Sequence, residues 1–330
     1  MPNSAQLPAA RGVLSSYVLE VLSGRREGRG AMPGCADCAL TDEDLHLALY
    51  LCYELHYAGL PGVSDDLEWD EHLLRLRRRA EHRFEAVLRD LTPGARGTAP
   101  RDLVPALCDA VGGPSMSMHV REHATVAQLR EFVVHRSAYQ LKEADPHTWT
   151  LPRLTGPAKQ HLARIQAGEY GADHDDHVVH AELFAQTMGE LGIDNQRHVH
   201  LDALPGVSLA VSNLASMLGL HRRLRAASIG HLALSETTSV AAMRNYVAGL
   251  HRLAVSAQAR KFYEVHVLAD EEHGIIALDM VQALVDEDRQ LVDDVAFGIG
   301  ASLVVERAFA THVLDRWASE ETSLRRPLAA

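Results

Sequence analysis

The 330-residue chain has only four cysteines, at 35, 38, 52 and 108, too few and too scattered for a disulfide framework. Cys35 and Cys38 form one CxxC, but no second CxxC and no paired histidines follow at zinc-finger spacing, and no βαβ pattern surrounds it as a redox motif requires. Positive charge is also short: 32 Lys and Arg against 44 Asp and Glu leave a formal charge of −12. General affinity for nucleic acid or an anionic membrane is thereby excluded, since both need basic surfaces. The basic runs RLRRR (75–79) and HRRLR (221–225) sit among acidic or apolar helical neighbours and read as solvated helix faces. No apolar run approaches eighteen residues and the N-terminus has no apolar signal core, so a cytoplasmic protein is expected. Alternating strand patterns, Asn-Gly hairpin signals, solenoid repeats and low-complexity tracts are missing as well.

What is present is helical periodicity. Residues 1–40, rich in Gly, Ala, Pro and Arg, are expected to be a loosely packed arm. TDEDLHLALYLCYELHY opens with Thr41 as an expected N-cap. Trp69, Leu73, Leu76, Ala80, Phe84, Val87 and Leu88 then recur at helical steps over 66–90. These two helices predict a hairpin at 41–90, with 91–120 as a Pro- and Gly-broken linker; its amphipathic face suggests a homodimer interface. From Thr125 the pattern is helical almost without relief, so the fold class is all-α, with residues 121–330 as the main domain.

The stretch FYEVHVLADEEHG (262–274) places His266, Asp270 and His273 at offsets 0, 4 and 7, the later two within about 40° of His266 around a helix. Their stripe is otherwise apolar, carrying Phe262, Ala277 and Met280, while Glu271 and Glu272 point elsewhere. Ionisable groups on a buried face are costly unless paired or ligated. Such a triplet also arises by chance in a chain with twenty histidines, so it needs further ligands. Glu143 closes the helix from Thr125, on a stripe with Phe132, Arg136 and Tyr139. Glu169 and His180, eleven residues apart, share a face if their helix is continuous. Three carboxylates and three imidazoles from three helices nearly offset two divalent ions, and mixed ligation of this kind suits iron or manganese better than zinc.

EYG, HAELFAQTMGELGI, GLHRRLRAASIGHLALSE and FYEVHVLADEEHG resemble the iron-containing redox enzymes known as haem-oxygenase-like diiron oxidases, over residues 125–320. The resemblance implies a haem-oxygenase-like helical bundle that binds two irons and no haem. Its ligands would be Glu143 from the first core helix, Glu169 and His180 from the second, and His266, Asp270 and His273 from the third. O2 is the implied co-substrate, and a small molecule and an external electron donor are the implied partners. The separations of 26 residues between the glutamates and 86 between His180 and His266 resemble the amine N-oxygenase members. N-oxygenation of an amine or amino acid in specialised metabolism is therefore placed first, ahead of oxidative desaturation or C–C cleavage of an amino acid or fatty acid. A helical bundle that only binds metal or a partner is the non-enzymatic alternative.

Two departures from the family pattern are visible. The step from Glu169 to His180 is one residue longer than the usual ten, and His177, beside Asp176, stands where some N-oxygenases carry another carboxylate. Arg136 and Tyr139 are expected to support the ligands or to contact substrate. His174, His177 and Glu182 compete as ligands. His147 is expected at the surface, because Pro146 breaks the helix that would align it with Glu143. Glu236 and His231 are expected to be interior polar residues without a catalytic role.

Overall fold

A computed structural model describes residues 7–25, 40–95, 97–172 and 178–328, and among these it contains helices and no strands. The helices are α1 (Val13–Leu22), α2 (Glu43–Glu54), α3 (Glu71–Leu91), α4 (Leu103–Val111), α5 (Met116–Glu122), α6 (Val126–Gln140) and α7 (Asp145–Thr148). They continue with α8 (Gly156–Glu169), α9 (His180–Glu190), α10 (Gly206–Leu220), α11 (Arg225–Arg252), α12 (Ala257–Glu287) and α13 (Val292–Ala318).

Local chemistry explains several starts. The Asp42 carboxylate accepts from Leu45 N–H at 2.7 Å, so Asp42 and not Thr41 caps α2. Thr125 and Gln128 form a reciprocal capping box at α6. Ser256 caps α12 through Ala259 N–H at 3.1 Å.

The expected division at residue 120 does not separate two cores. Leu45, Tyr53 and Phe84 share one core with Leu209, Phe262 and Phe309, whereas Leu103 and Leu107 join Ile165, Ile276 and Ile299 in a second. The linker expected at 91–120 itself contains α4 and α5, which pack on α13 and α11. Residues 13–22, expected in a loose arm, form α1, whose Tyr17, Val18, Val21 and Leu22 are buried against α2; a ten-residue helix with an apolar face on a core does not stay loose. α2 is covered by α1, α3 and α10, so its apolar face is used inside the chain.

Long helices run together over the rest. α11 packs along both α12 and α13, and α12 also along α8 and α9. The approach of α11 to α13 depends on glycine: a Cβ on Gly298 would lie 1.9 Å from the Ala227 carbonyl oxygen, and one on Gly230 2.2 Å from that of Val295. The segment Arg289–Ala318, containing α13, is long and apolar enough to cross a membrane by length and composition. With 61% of its apolar window buried within the fold, it serves as a core helix.

Along one face of α12, Phe262 and Tyr263 enter the larger core and Ile276, Ala277 and Met280 the second. His266, Asp270 and His273 lie between the two, all buried.

Candidate metal centre

Four helices bring acids and imidazoles to this junction. α6 ends at Gln140, and the chain then turns through Ala144, held at φ 73°, a sparsely populated conformation for a residue with a Cβ. Gln166 from α8 donates to the Ala144 carbonyl oxygen at 2.8 Å and steadies this turn, which aims Glu143 inward. α8 and α9 are not one continuous helix. Glu169 is the last residue of α8 and His180 the first of α9, and the two meet end to end, with His180 Nδ1 2.9 Å from Glu169 Oε2. The pair thus converges without the shared helical face expected of it.

The six sequence-selected residues all reach one place, and a seventh joins them. Ligand atoms of Glu143, Glu169, His180 and His266 lie within 4.8 Å of one another; so do those of Glu169, Glu236, Asp270 and His273. Glu169 belongs to both groups. His273 Nδ1 stands 3.5 Å from Glu169 Oε1, 3.4 Å from Glu236 Oε2 and 3.8 Å from Asp270 Oδ1, and His266 Nε2 stands 3.6 Å from Glu143 Oε2. The seventh is Glu236, expected from the sequence to be an interior polar residue without a catalytic role. Its signal was its isolation: between residues 226 and 243 it is the one acidic or basic residue apart from His231, on a helix packed along α12.

The donor set fits cations. Buried atoms lacking a hydrogen bond concentrate here: Glu143 Oε2, both ring nitrogens of His180, His266 Nε2, Asp270 Oδ1 and His273 Nδ1. Such atoms are costly to bury unless something neutralises them. His266 Nδ1 lies 2.8 Å from the Phe262 carbonyl oxygen, which can only accept, so Nδ1 carries a proton and Nε2 is the atom presented to the cluster. Four carboxylates balance two divalent ions where three fell short. Hard oxygen donors mixed with imidazoles, and no thiolate, suit iron or manganese.

The electrostatics tell the same story. Burial pushes the Glu236 carboxyl up to about 8, with Glu169 and Asp270 adding repulsion, and burial likewise raises Asp270. Burial opposes charge on Glu169 too, but the His180 and His273 rings outweigh it and hold this carboxyl well below its ordinary range. Burial would lower His266 and His273; the Glu143 carboxylate outweighs it at His266, and Glu169 and Glu236 at His273, so each is raised to about 10. Protons in this cluster occupy positions that a cation competes for.

A cavity of about 300 Å³ opens beside the cluster, and Glu143, Glu169, Glu236, His266 and Asp270 form part of its wall. Arg136 and Tyr139 line it too, but neither bonds a cluster residue: Arg136 Nη1 donates to both oxygens of Glu306, at 2.8 and 3.1 Å. His147, expected at the surface, is buried on the cavity wall, its Nε2 3.0 Å from His231 Nδ1. Pro146 does break the helix after α6, but it starts the separate short α7, and α7 packs on α10 and carries His147 inward. Burial lowers both rings, His147 to about 4, so they stay neutral. Glu182 is exposed. Glu271 pairs with Arg244 at 2.6 Å and Glu272 with Arg164, both at the surface. Glu54 is buried against Lys142. Cys35, Cys38, His174, Asp176 and His177 lie outside the described residues.

The all-helical bundle has a haem-oxygenase-like fold and holds a buried carboxylate–imidazole cluster beside a small cavity. Residues 130–307, more than half of the chain, match the family of iron-containing redox enzymes, and the chain belongs to that family. A crystal structure of a domain of unknown function with a haem-oxygenase-like fold, from Shewanella denitrificans OS217, superposes with a TM-score of 0.52 at 15% identity, covering 69% of this chain and 95% of that one. A nitrosourea synthase from Streptomyces achromogenes subsp. streptozoticus is 24% identical over 141 residues, 43% of this chain and 30% of that protein, so the match spans under a third of the relative's length.

Proposed function

We propose that the chain is a non-haem diiron oxidase or oxygenase that uses O2 to oxidise a small polar metabolite. The observation that carries this reading is Glu169, one carboxylate common to two four-residue donor groups and open to the cavity. Glu143, His180 and His266 would hold one iron, Glu236, Asp270 and His273 the other, and Glu169 both. Iron held by these residues would supply electrons for O2 reduction, with an external donor restoring them.

The chain's own residues do the rest. The surrounding apolar cores keep bulk water from the cluster. Glu236 and Asp270, whose carboxyls burial raises in the ion-free cluster, would give up their protons to take a cation. A cavity of about 300 Å³ lies at the lower end of the range for small-molecule sites and suits a metabolite. N-oxygenation of an amine or amino acid is placed first, supported by the nitrosourea synthase relative, whose name denotes an N-oxygenated product.

The test is anaerobic loading with Fe(II), a count of iron per chain, then exposure to O2 with a panel of amines and acids. Two irons per chain, with O2 uptake accelerated by one panel member, are expected. Fewer than two irons, or iron content unchanged in Glu169→Ala and His266→Ala, would falsify the reading. A hydroxylamino or nitro product marks N-oxygenation; an alkene or a shortened carbon chain marks the alternative.

A further inference from the structure

The basic run HRRLR (221–225) has by its pattern the look of a solvated helix face, but only part of it is spent that way. Arg223 is taken by Glu85 of α3, at 2.9 and 2.5 Å. Arg222 and Arg225 line a second cavity, of about 430 Å³, and Arg153 joins them on its wall. Arg225 Nη1 donates to the Arg222 carbonyl oxygen at 3.4 Å. Arg153 donates to the carbonyl oxygens of Gly219 and Leu220, the latter at 2.7 Å, so the three side chains gather round the turn from α10 into α11. Among the described residues none of the three is ion-paired with a carboxylate, although the chain carries 44 Asp and Glu. Burial lowers the Arg153 guanidinium, and no carboxylate offsets it. The facing wall carries Glu287 and Asp288, each already engaged: Glu287 Oε1 accepts from the Thr155 hydroxyl at 2.5 Å, and Asp288 Oδ1 from the Gln290 N–H at 3.0 Å. Leu154, Leu284 and Leu291 supply the apolar part.

Three guanidiniums left without counter-charge at one cavity repel one another, and an anion placed among them relieves that repulsion. A guanidinium fork suits phosphate in particular, giving parallel bonds to two of its oxygens. The volume lies within the range of small-molecule sites and exceeds what a bare ion fills. Glu287 and Asp288 disfavour a second anionic group on their side, while their remaining lone pairs accept from hydroxyls. We propose that this cavity binds a phosphate monoester of a polyhydroxylated small molecule. The phosphoryl group lies on Arg153, Arg222 and Arg225, the hydroxyls on Glu287 and Asp288, and the carbon skeleton against the leucines.

The site is separate from the metal centre. Within unbroken helices, Arg225 precedes Glu236 by eleven residues, Gly156 precedes Glu169 by thirteen, and Glu287 follows His273 by fourteen. At about 1.5 Å per residue these separations are roughly 16, 20 and 21 Å. A ligand in this cavity is out of reach of the carboxylate cluster, so it is not the molecule oxidised there, and its binding stands or falls apart from the iron reading.

Calorimetric titration of the purified chain tests this, with ribose 5-phosphate beside ribose, AMP beside adenosine, and inorganic phosphate. At least one ester is expected to bind one per chain, roughly ten-fold or more tighter than its dephosphorylated parent and than inorganic phosphate. The double variant Arg222→Gln, Arg225→Gln should abolish that preference. Replacing the same two residues by Lys, which keeps the charge but not the parallel donors, should retain part of it. Arg136→Gln, at the cavity beside the metal centre, should leave the preference intact. Arg153 is not replaced, because it also holds the end of α10. Melting curves by circular dichroism confirm that each variant is folded. The proposal is overturned if neither ester shows the preference in wild type, if inorganic phosphate binds as tightly as the esters, or if a folded double Gln variant keeps the preference. Loss of the preference in a folded Arg136→Gln overturns it too, since the ester would then lie in the other cavity.

Discussion

Glu169→Gln is the sharpest probe of the centre, because it changes one charge at constant volume in the one residue that both donor groups share. Metal that binds only the folded protein stabilises it by about 2.7 kcal/mol per site at a hundred-fold excess over Kd. For a chain of this size each kcal/mol moves Tm by about 2 °C, so two filled sites raise it by about 10 °C. Mn(II) under argon, followed by scanning calorimetry, reads this without redox chemistry. Wild type should show the whole shift. Glu143→Gln and Glu236→Gln, each in a single group, should keep about half, and Glu169→Gln should keep almost none. If Glu169→Gln retained more than half of the Mn(II) shift while either single-group variant lost more, the shared-carboxylate argument would be wrong.

Three further outcomes are expected. Gly298→Ala should cost about 3 kcal/mol in urea denaturation, because its Cβ meets the Ala227 backbone and α11 and α13 must separate; a loss under about 0.5 kcal/mol would show that the crossing yields easily. Lys142→Ala should cost about 3–5 kcal/mol by stranding the Glu54 carboxylate, while Lys142→Met with Glu54→Leu should recover most of it; equal losses in single and double variants would contradict a desolvation origin. His46 is buried and lowered by burial to about 4, so the unfolded chain binds its proton near pH 6.5 and the folded one only near 4. Its contribution is present in full above pH 6.5 and is lost as pH falls toward 4, amounting to about 3 kcal/mol, and His46→Gln should flatten the stability profile across that window.

Helix positions were legible because periodicity is local: the apolar stripe of α12 and the capping box of α6 are written in neighbouring residues. The triplet His266, Asp270 and His273 was legible for the same reason, since one helix fixes its geometry. Glu143, Glu169 and His180 were reached through the resemblance and through spacing, and the spacing argument invoked a continuous helix that the chain does not form; the two residues meet because α8 ends and α9 begins at them. From the sequence Glu236 is an interior polar residue like any other. Nothing within α11 distinguishes a ligand from a tolerated interior acid, because the difference is made by α12, packed alongside and placing His273 3.4 Å away. His147 followed the same logic in reverse: Pro146 announces a break, but packing against α10 decides that the chain after the break turns inward. One-dimensional pattern thus settled the class of fold and one wall of the centre. The pairing of donors, the place of Glu169 in both groups and the walling of the cavity are contacts between residues tens to well over a hundred positions apart, which arise only when the helices pack.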